Sequence, residues 1–539
     1  MKKKSLIFIA GATLLLSGCG GGSEAKDESS GTLPDLGDRY ELDASTPAWQ
    51  LDTKEDNKLT WYVNAEWWDS SFGEDLVTKK IKEDLDIDIE FIIGDDTKLN
   101  TFFASGDMPD IISIFDANAS IARQAESWAW PLQDLAEKYD PYFLDVASEE
   151  TLDWYQLSDG KSYGYPDYSN TAEDYASGAI HGNDGLIIRE DVYEAIGRPD
   201  MTTPEGFLEA LNSIKEQFPD LIPLGFNDLP KDGLATNSLD RVVQDLIGVP
   251  YLDGDQYNDR NLDEDYITWL KTLRQAHENG AISDDSFTDD NETFKNKISS
   301  GKYAAVLMSS FINHGAPIQA FASSNPDGAY MAIDAVQSTV GNEPILTQAG
   351  ISGWMINYIT KDAKDPAKAI QVFTYLLSDY GQMLTTYGIE GETYEYVSDD
   401  EIQFTPEALE VQQSDPDKWK KEYRVGEFCQ FGHDKYRALN PQSYQEALHQ
   451  MMAWADDKLQ PQFETENIEP DPGTSEARAL SAIKTNWSTT LVSAIRASSD
   501  EEVDQLIAEY KTFQDQNSIE EVNQIKNEKI AENKEKLGM

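Results

Sequence analysis

The chain of 539 residues is long enough for two or more domains of ordinary size. It carries 99 acidic against 43 basic residues, a formal net charge of −56. This charge argues against nucleic acid as a partner, and it disfavours an anionic ligand unless a local basic pocket exists. The 12 Trp, 25 Tyr and 20 Phe supply large apolar side chains, so a chain that is disordered throughout is excluded.

The N-terminus has the layout of a secretory signal. Three lysines at 2–4 precede an apolar stretch over 6–16, which is shorter than the roughly 20 residues that span a bilayer. The stretch ends in LSGC, which resembles the lipobox of bacterial lipoproteins. We therefore expect a signal peptide over 1–18 and an acylated Cys19 that anchors the chain to the outer face of the cell membrane. An ordinary secretory peptide is the alternative.

The only other cysteine is Cys429, so no disulfide within the mature chain is expected once Cys19 carries lipid. Residues 19–57 are rich in Gly, Ser, Asp and Glu and contain few apolar residues. That composition predicts a flexible tether between the lipid and a folded body.

From residue 58 the pattern is mixed α/β. KLTWYVN reads as a strand, DLVTKKIKEDL as an amphipathic helix and DIDIEFII as a strand, and a further helix and strand follow up to 114. This order predicts a largely parallel sheet with its ligand site beyond the carboxyl ends of the strands. Trp67 and Trp68 follow the first strand, and Phe115, Asp116 and Asn118 follow a later one. Both groups should meet in one crevice.

Later segments continue the mixed pattern. Thr203 and Pro204 are typical of a helix N-terminus, and Gly280 of a helix end. GKYAAVLMSS (301–310) reads as a buried strand, a helix is predicted to begin at Pro366, and the last hundred residues are mostly helical. No internal repeat is present.

Five stretches, taken in this order and spacing, carry a family resemblance: SGDMPDIISI (105–114), DGKSYGYP (159–166), DGLIIREDVYEAIGRPDMTTPEGF (184–207), GISGWMINYITKDAKDPAKAI (350–370) and YGIEGETYEY (387–396). The sequence resembles the extracellular solute-binding proteins of ATP-binding-cassette (ABC) importers. It is most similar to the large lipoprotein branch associated with complex oligosaccharides.

The resemblance implies an α/β clamp of two lobes, with mixed, mostly parallel sheets and a helical C-terminal region. It implies crossings between the lobes near Pro166, Phe311 and Ser378. One lobe would comprise 58–166 plus 312–378, and the other 167–311 plus 379–539. It also implies a protein without catalysis, acting as a monomer, that hands an oligosaccharide to a membrane permease. Lipid anchoring fits a Gram-positive cell, which has no outer membrane to confine a free binder.

A sugar ring needs a flat aromatic surface for its C–H face and polar side chains for its hydroxyls. Distant resemblance to maltodextrin-binding proteins implies that residues with this chemistry line the cleft. They are Glu66, Trp67, Trp68, Phe115, Asp116, Asn118, Asp167, Tyr168, Asn227, Asp228, Asn313, His314, Trp354 and Glu390.

Several of these residues have a structural alternative. Because successive residues of a strand face opposite ways, one of Trp67 and Trp68 should pack inward and the other stand exposed. Core packing is slightly favoured for Trp354, and Glu390 serves either a ligand or a turn. His433, beside Asp434, is interpreted as a lone surface histidine.

No cofactor or metal is predicted. Many members of the branch carry a calcium loop after the helix at 204–217, but here only Asp220 has a suitable side chain. Asp253, Asp255 and Glu264 have loop-like spacing without the Gly that an EF-hand requires. No HExxH, GxSxG or P-loop pattern appears. A glycosidase needs only two carboxylates, so only the resemblance argues against one. The alternatives for function are a surface glycan adhesin, a sensor subunit and an importer receptor for peptides.

Overall fold

A computed structural model describes residues 32–117, 119–230, 238–325, 328–348, 350–398, 401–428, 430–440 and 444–539. Cys19, Asn118 and Cys429 lie outside these residues. The described strands are β1 (Asn57–Val63), β2 (Ile87–Ile93), β3 (Ile111–Ile114), β4 (Gly164–Pro166), β5 (Gly185–Arg189), β6 (Ile222–Phe226), β7 (Leu252–Asp253), β8 (Gln256–Tyr257), β9 (Tyr303–Met308), β10 (Tyr330–Ala332), β11 (Ile356–Ile359), β12 (Tyr394–Ser398) and β13 (Glu401–Phe404).

The helices of the first half are α1 (Ala48–Leu51), α2 (Leu76–Leu85), α3 (Asp96–Ser105), α4 (Ala125–Trp128), α5 (Leu132–Tyr139), α6 (Phe143–Val146), α7 (Glu149–Trp154), α8 (Ala172–Ala176), α9 (Glu190–Ala195), α10 (Pro204–Gln217), α11 (Leu239–Leu246) and α12 (Glu264–Glu278). Those of the second half are α13 (Asn291–Ser299), α14 (Gly315–Ser324), α15 (Pro366–Leu377), α16 (Asp379–Tyr387), α17 (Pro406–Ser414), α18 (Pro416–Lys418), α19 (Asp434–Arg437), α20 (His449–Asp456), α21 (Ser475–Ile495), α22 (Asp500–Gln516) and α23 (Ile519–Lys536).

The first sheet has the strand order β2-β1-β3-β11-β4. Strands β1, β2 and β3 are parallel, as the βαβαβ pattern predicts. Helices α2 and α3 each carry the chain back to the end of the sheet at which the strands begin. Both helices begin at an aspartate whose carboxylate accepts a backbone N–H, Asp75 from Thr78 and Asp95 from Lys98. The late strand β11 and the edge strand β4 add antiparallel pairings.

The second sheet has the order β10-β5-β9-β6, and only β6 and β9 are parallel. The predicted α/β architecture with mixed sheets is confirmed, but the sheets are less parallel than expected. Strand β9 lies within the stretch GKYAAVLMSS and is buried along its whole length, as the apolar run predicts. Helices α10, α11 and α12 cover this sheet, and α21 and α22 pack on α12 to form the helical C-terminal region.

Two lobes follow from the separate apolar cores. The first lobe (32–166 and 356–440) surrounds the first sheet, and the second lobe (185–348 and 444–539) surrounds the second. Strand β4 of the first sheet ends at Pro166, near which one crossing was predicted. The crossing predicted near Phe311 differs from the structure, because Phe311 is buried in the core of the second lobe and β10 pairs with β5 there.

The crossing predicted near Ser378 also differs from the structure. Helix α16 packs on α15, and Leu384, Trp419 and Phe431 belong to the core of the first lobe. After β11 the chain therefore returns to the second lobe only beyond residue 440.

The described part of the predicted tether is folded rather than flexible. Leu33, Leu36 and Trp49 pack against the first core. The Arg39 guanidinium bridges Asp52 and Asp365, donating to the latter at 2.8 and 2.9 Å. A composition rich in Gly, Ser, Asp and Glu concealed these few anchoring side chains.

Candidate functional site

Segments of the chain at the boundary between the lobes are hydrogen-bonded to one another; they are 167–170, 350–355 and 430–434, called the hinge segments here. The Asp167 N–H donates to the Met355 carbonyl at 2.9 Å, and the Gly432 N–H donates to the Asp167 carbonyl at 2.8 Å. Asp167 therefore joins all three segments. Gly353 lies so close to the Tyr168 carbonyl that a Cβ there would collide with it, and its φ of +57° favours glycine.

The Asp167 side chain is buried at this junction, with 2% of the residue exposed. Its Oδ1 accepts the N–H groups of Trp354 at 3.2 Å and Met355 at 2.8 Å, whereas Oδ2 has no partner in the described residues. Burial raises the pKa of the carboxyl to about 8, since removing a charge from water is costly. The group therefore holds a proton at neutral pH.

A cavity of about 620 Å³, the hinge cavity, opens between the lobes above these segments. Such a volume is typical of a small-ligand site. It is lined by Asp167, Tyr168, His181, Asn183, Ser310, Ile312, Asn313, Gln348, Trp354, Thr385, Thr386, Gly426, Gln430, Gly432, His433, Asp434, Arg437 and Tyr444. Both lobes contribute, and most of these side chains are polar.

Exposed aromatic rings form one side of this opening. Trp67, which is 58% exposed, stacks on Trp354 with ring centroids 5.5 Å apart and planes 21° from parallel. Phe115 meets Trp354 edge-on at 5.6 Å. These three residues, called the aromatic platform, bring together the ends of β1 and β3 and the hinge segment before β11.

No protein-family model matches the chain, and no curated protein matches it. Solved structures do match it. An HMO-binding solute-binding protein associated with an ABC transporter, from Bifidobacterium longum infantis, is 14% identical with a TM-score of 0.67. The alginate-binding protein AlgQ2 without calcium ion is 17% identical with a TM-score of 0.62.

A third match is the ABC-transporter substrate-binding protein FusA of S. pneumoniae, an EF-hand mutant in complex with fructo-nystose, which is 15% identical with a TM-score of 0.63. All three alignments cover 89% of this chain and 99% of the other. The chain has the fold of the ABC-transporter solute-binding proteins. These neighbours are binding proteins rather than enzymes. Among the residues that the structure describes, no helix is both long and apolar enough to cross a membrane.

Within this solute-binding fold, the structure brings several predicted residues to one place. Asp167, Tyr168, Asn313 and Trp354 line the hinge cavity, and Trp67 and Phe115 complete the platform beside it.

Other predicted residues near the platform have different surroundings. Glu66 is exposed beside Trp67, and Asp116 lines a second cavity. Trp68 is 5% exposed and packs against Phe428, with the Arg424 guanidinium over its ring. Trp68 is thus the inward tryptophan of the pair.

Four further predicted residues belong neither to the lining of the hinge cavity nor to the aromatic platform. Asn227 joins β6 to β9 through three hydrogen bonds with Ser309, and Asp228 follows it at the surface. His314 is buried, its Nδ1 lies 3.1 Å from the Ser310 carbonyl, and burial lowers its pKa. Glu390 is exposed at the turn before β12, so its turn alternative agrees with the structure.

The polar side chains that line the hinge cavity form what we call the polar wall. Sequence reasoning missed the part of this wall that residues 430–437 contribute. His433 is not a surface histidine: it lies in this wall, and burial lowers its pKa. Asp434 beside it accepts a hydrogen bond from the Asn170 side chain at 3.0 Å. The adjacent His and Asp were the available signal, but a local pattern cannot show that this segment still belongs to the first lobe.

The described residues contain no group of three or more His, Cys, Asp or Glu side chains placed to hold a metal ion. Of the acids considered for calcium, Asp255 forms an ion pair with Lys534 at 2.6 Å. The Asp220 carbonyl accepts from Lys302.

Proposed function

We propose that this protein is the substrate-binding receptor of an ABC importer, which captures an oligosaccharide between its lobes and delivers it to a membrane permease. The stacking of exposed Trp67 on Trp354 beside a polar cavity carries this proposal. An indole face suits the C–H face of a sugar ring, and the polar wall suits its hydroxyls. The three neighbours are an HMO-binding protein, an alginate-binding protein and a protein in complex with fructo-nystose, which supports a glycan as the class of ligand.

The polar wall offers both donors and acceptors for such a ligand. Asp167 and Gln430 each keep one buried polar atom without a partner among the described residues, Oδ2 and Nε2 respectively. Leaving such atoms unpaired is costly, so a ligand or water that reaches them is favoured, and a ligand lacking hydroxyls is rejected.

Ligand capture in this proposal shifts an equilibrium between open and closed lobes, and the permease recognises the closed form. Arg123 of the first lobe forms an ion pair with Asp471 of the second, so the arrangement described here has the lobes in contact. Lys529 adds a second cation to Asp471 at 3.2 Å.

The proposal includes the N-terminal features expected from the sequence, which lie outside the described residues. The signal peptide over 1–18 is removed, Cys19 carries the lipid, and the monomer stays on the outer face of a Gram-positive cell membrane. Replacing Cys19 with Ser should release the protein into the medium, whereas a Cys429→Ser control should remain with the membrane. If the Cys19→Ser protein stayed with the membrane as the control does, that result would contradict the lipid anchor.

The ligand class is tested by calorimetric titration of the purified protein with neutral and acidic oligosaccharides and with peptides. We expect saturable binding of one glycan class, and its loss in Trp67→Ala. Binding of peptides alone would refute the oligosaccharide and favour the peptide receptor. Binding of no soluble ligand, together with retention on immobilised glycan, would favour the adhesin.

A further inference from the structure

A second cavity lies near the aromatic platform. It has a volume of about 610 Å³, and Asp116, the residue after Phe115 of the platform, belongs to its lining. Most of its wall comes from the second lobe, including Tyr257 and Lys526. We call it the distal cavity. Because Asp116 directly follows Phe115 in the chain, the distal cavity lies near the aromatic platform, and an extended ligand on the platform could reach it.

Lys526 is an unusual member of the distal wall. It lies on α23, only 6% of the residue is exposed, and its Nζ sits 3.6 Å from the centre of the Tyr257 ring. Among the described residues no carboxylate oxygen lies within 4.0 Å of this Nζ, and the ammonium donates no hydrogen bond. Lys526 also lines a smaller cavity of about 360 Å³.

A buried ammonium without an anion is costly, and a cation–π contact offsets only a part of that cost. The contrast within the helix is sharp, since Lys529 and Lys534 of α23 both pair with aspartates. In a chain with 99 acidic residues, a buried lysine without such a partner stands out.

The nearby carboxylates of these two cavities already have donors. Asp259 accepts from the Gln514 amide at 2.6 Å and from the Asn261 N–H at 3.2 Å. Asp240 accepts from the Trp487 indole at 2.8 Å, and Glu469 pairs with Lys484. Lys526 is therefore a cation of the distal cavity that pairs with none of these carboxylates.

We propose that the oligosaccharide carries an anionic group, a carboxylate or a sulfate, and that Lys526 binds this group in the distal cavity while a sugar ring stacks on the platform. This inference rests on the proposed oligosaccharide function and adds the charge of the ligand. It supplies the local basic site without which so acidic a protein disfavours an anion.

The test compares matched ligands that differ only in charge. One pair is trigalacturonic acid and its methyl ester, and the other is a sulfated disaccharide and its unsulfated form. We expect the acidic member of one pair to bind more tightly. Lys526→Met should weaken that binding by about tenfold to a hundredfold while leaving the neutral member unchanged, as for the loss of a charged hydrogen bond. Lys526→Arg should restore part of the affinity.

The control variant is Lys534→Met, which removes a lysine of the same helix that pairs with Asp255. It should bind like the unmodified protein, and melting temperatures of all variants verify folding. Equal affinity for the acidic and neutral members, or equal weakening of both by Lys526→Met, overturns the anionic ligand but leaves the receptor intact. If neither the acidic nor the neutral sugars bind, the proposed function fails, and this inference with it.

Discussion

The indole of Trp67 lies almost parallel to that of Trp354, with ring centroids 5.5 Å apart. The two residues lie far apart in the sequence, Trp67 after β1 and Trp354 in the hinge segment just before β11. Their contact leaves Trp67 largely exposed. Exposed aromatic rings that lie together mark interaction sites, whereas scattered apolar side chains do not.

The adjacent tryptophans should respond differently to truncation. Trp67→Ala should weaken glycan binding about tenfold and leave the free energy of unfolding nearly unchanged, because this ring is exposed. Trp68→Ala should cost about 3–5 kcal/mol of stability, because its ring is buried against Phe428. Calorimetry and urea unfolding of both variants provide the measurements, and a stable Trp68→Ala protein would contradict the described packing.

Asp167 should make the protein less stable as the pH rises. Its pKa is about 8 when folded and about 3.9 when unfolded, so between these values the folded state holds a proton that the unfolded state has lost. Each pH unit within the window costs up to about 1.4 kcal/mol. Asp167→Asn keeps the Oδ1 acceptor and should flatten the fall in unfolding free energy between pH 6 and pH 8.

Asp140 provides the control for that prediction. Burial raises its pKa only to about 6, so Asp140→Asn should act mainly below pH 6. Urea unfolding at pH 5, 6, 7 and 8 separates the two effects. An Asp167→Asn profile parallel to that of the unmodified protein from pH 6 to pH 8 would show that the carboxyl is already ionised.

Gly353 should not tolerate a side chain. Gly353→Ala places a Cβ against the Tyr168 carbonyl at a φ of +57°, and we expect a loss of about 1–3 kcal/mol together with weaker ligand binding. Gly160→Ala has a similar φ of +74° but open space around it, so it measures the backbone strain alone. Equal destabilisation in the two variants would mean that the contact with Tyr168 contributes nothing.

The ion pair between Arg123 and Asp471 should favour contact between the lobes. Both side chains are about one-third exposed, so Arg123→Ala should remove about 0.2–1 kcal/mol and weaken ligand affinity at most fivefold. X-ray scattering should show a larger radius of gyration for the unliganded variant. Lys82→Ala breaks a pair with Asp88 inside the first lobe and should leave the radius unchanged.

The sequence predicted best where local pattern and packing agree. The apolar periodicity of β1, α2, β2, α3 and β3 predicted their order, and alternation along the chain predicted that one tryptophan of the pair would be exposed. The sequence predicted poorly to which lobe a short segment belongs, because that depends on contacts with residues far away in the chain. Strand β10 has three residues, and only its pairing with β5 assigns it to the second sheet.

The site shows the same division. Trp67, Phe115 and Asp167 were predicted because each follows a strand end that sequence pattern can locate. His433 and Asp434 belong to the hinge cavity only because the chain stays in the first lobe until residue 440. Lys526 was missed because its lack of an acidic partner is a fact of three-dimensional packing.

The docking of residues 33–52 onto the first core sets the mechanics of the whole molecule. If Cys19 carries a lipid, as proposed, the anchor leads to the first lobe, and the second lobe is the part free to swing. Ligand capture would then move the second lobe and its C-terminal helices relative to the first lobe, which would stay in place at the cell surface. A permease in the same membrane would then contact the first lobe in a nearly constant position. It would detect bound ligand by the approach of the second lobe.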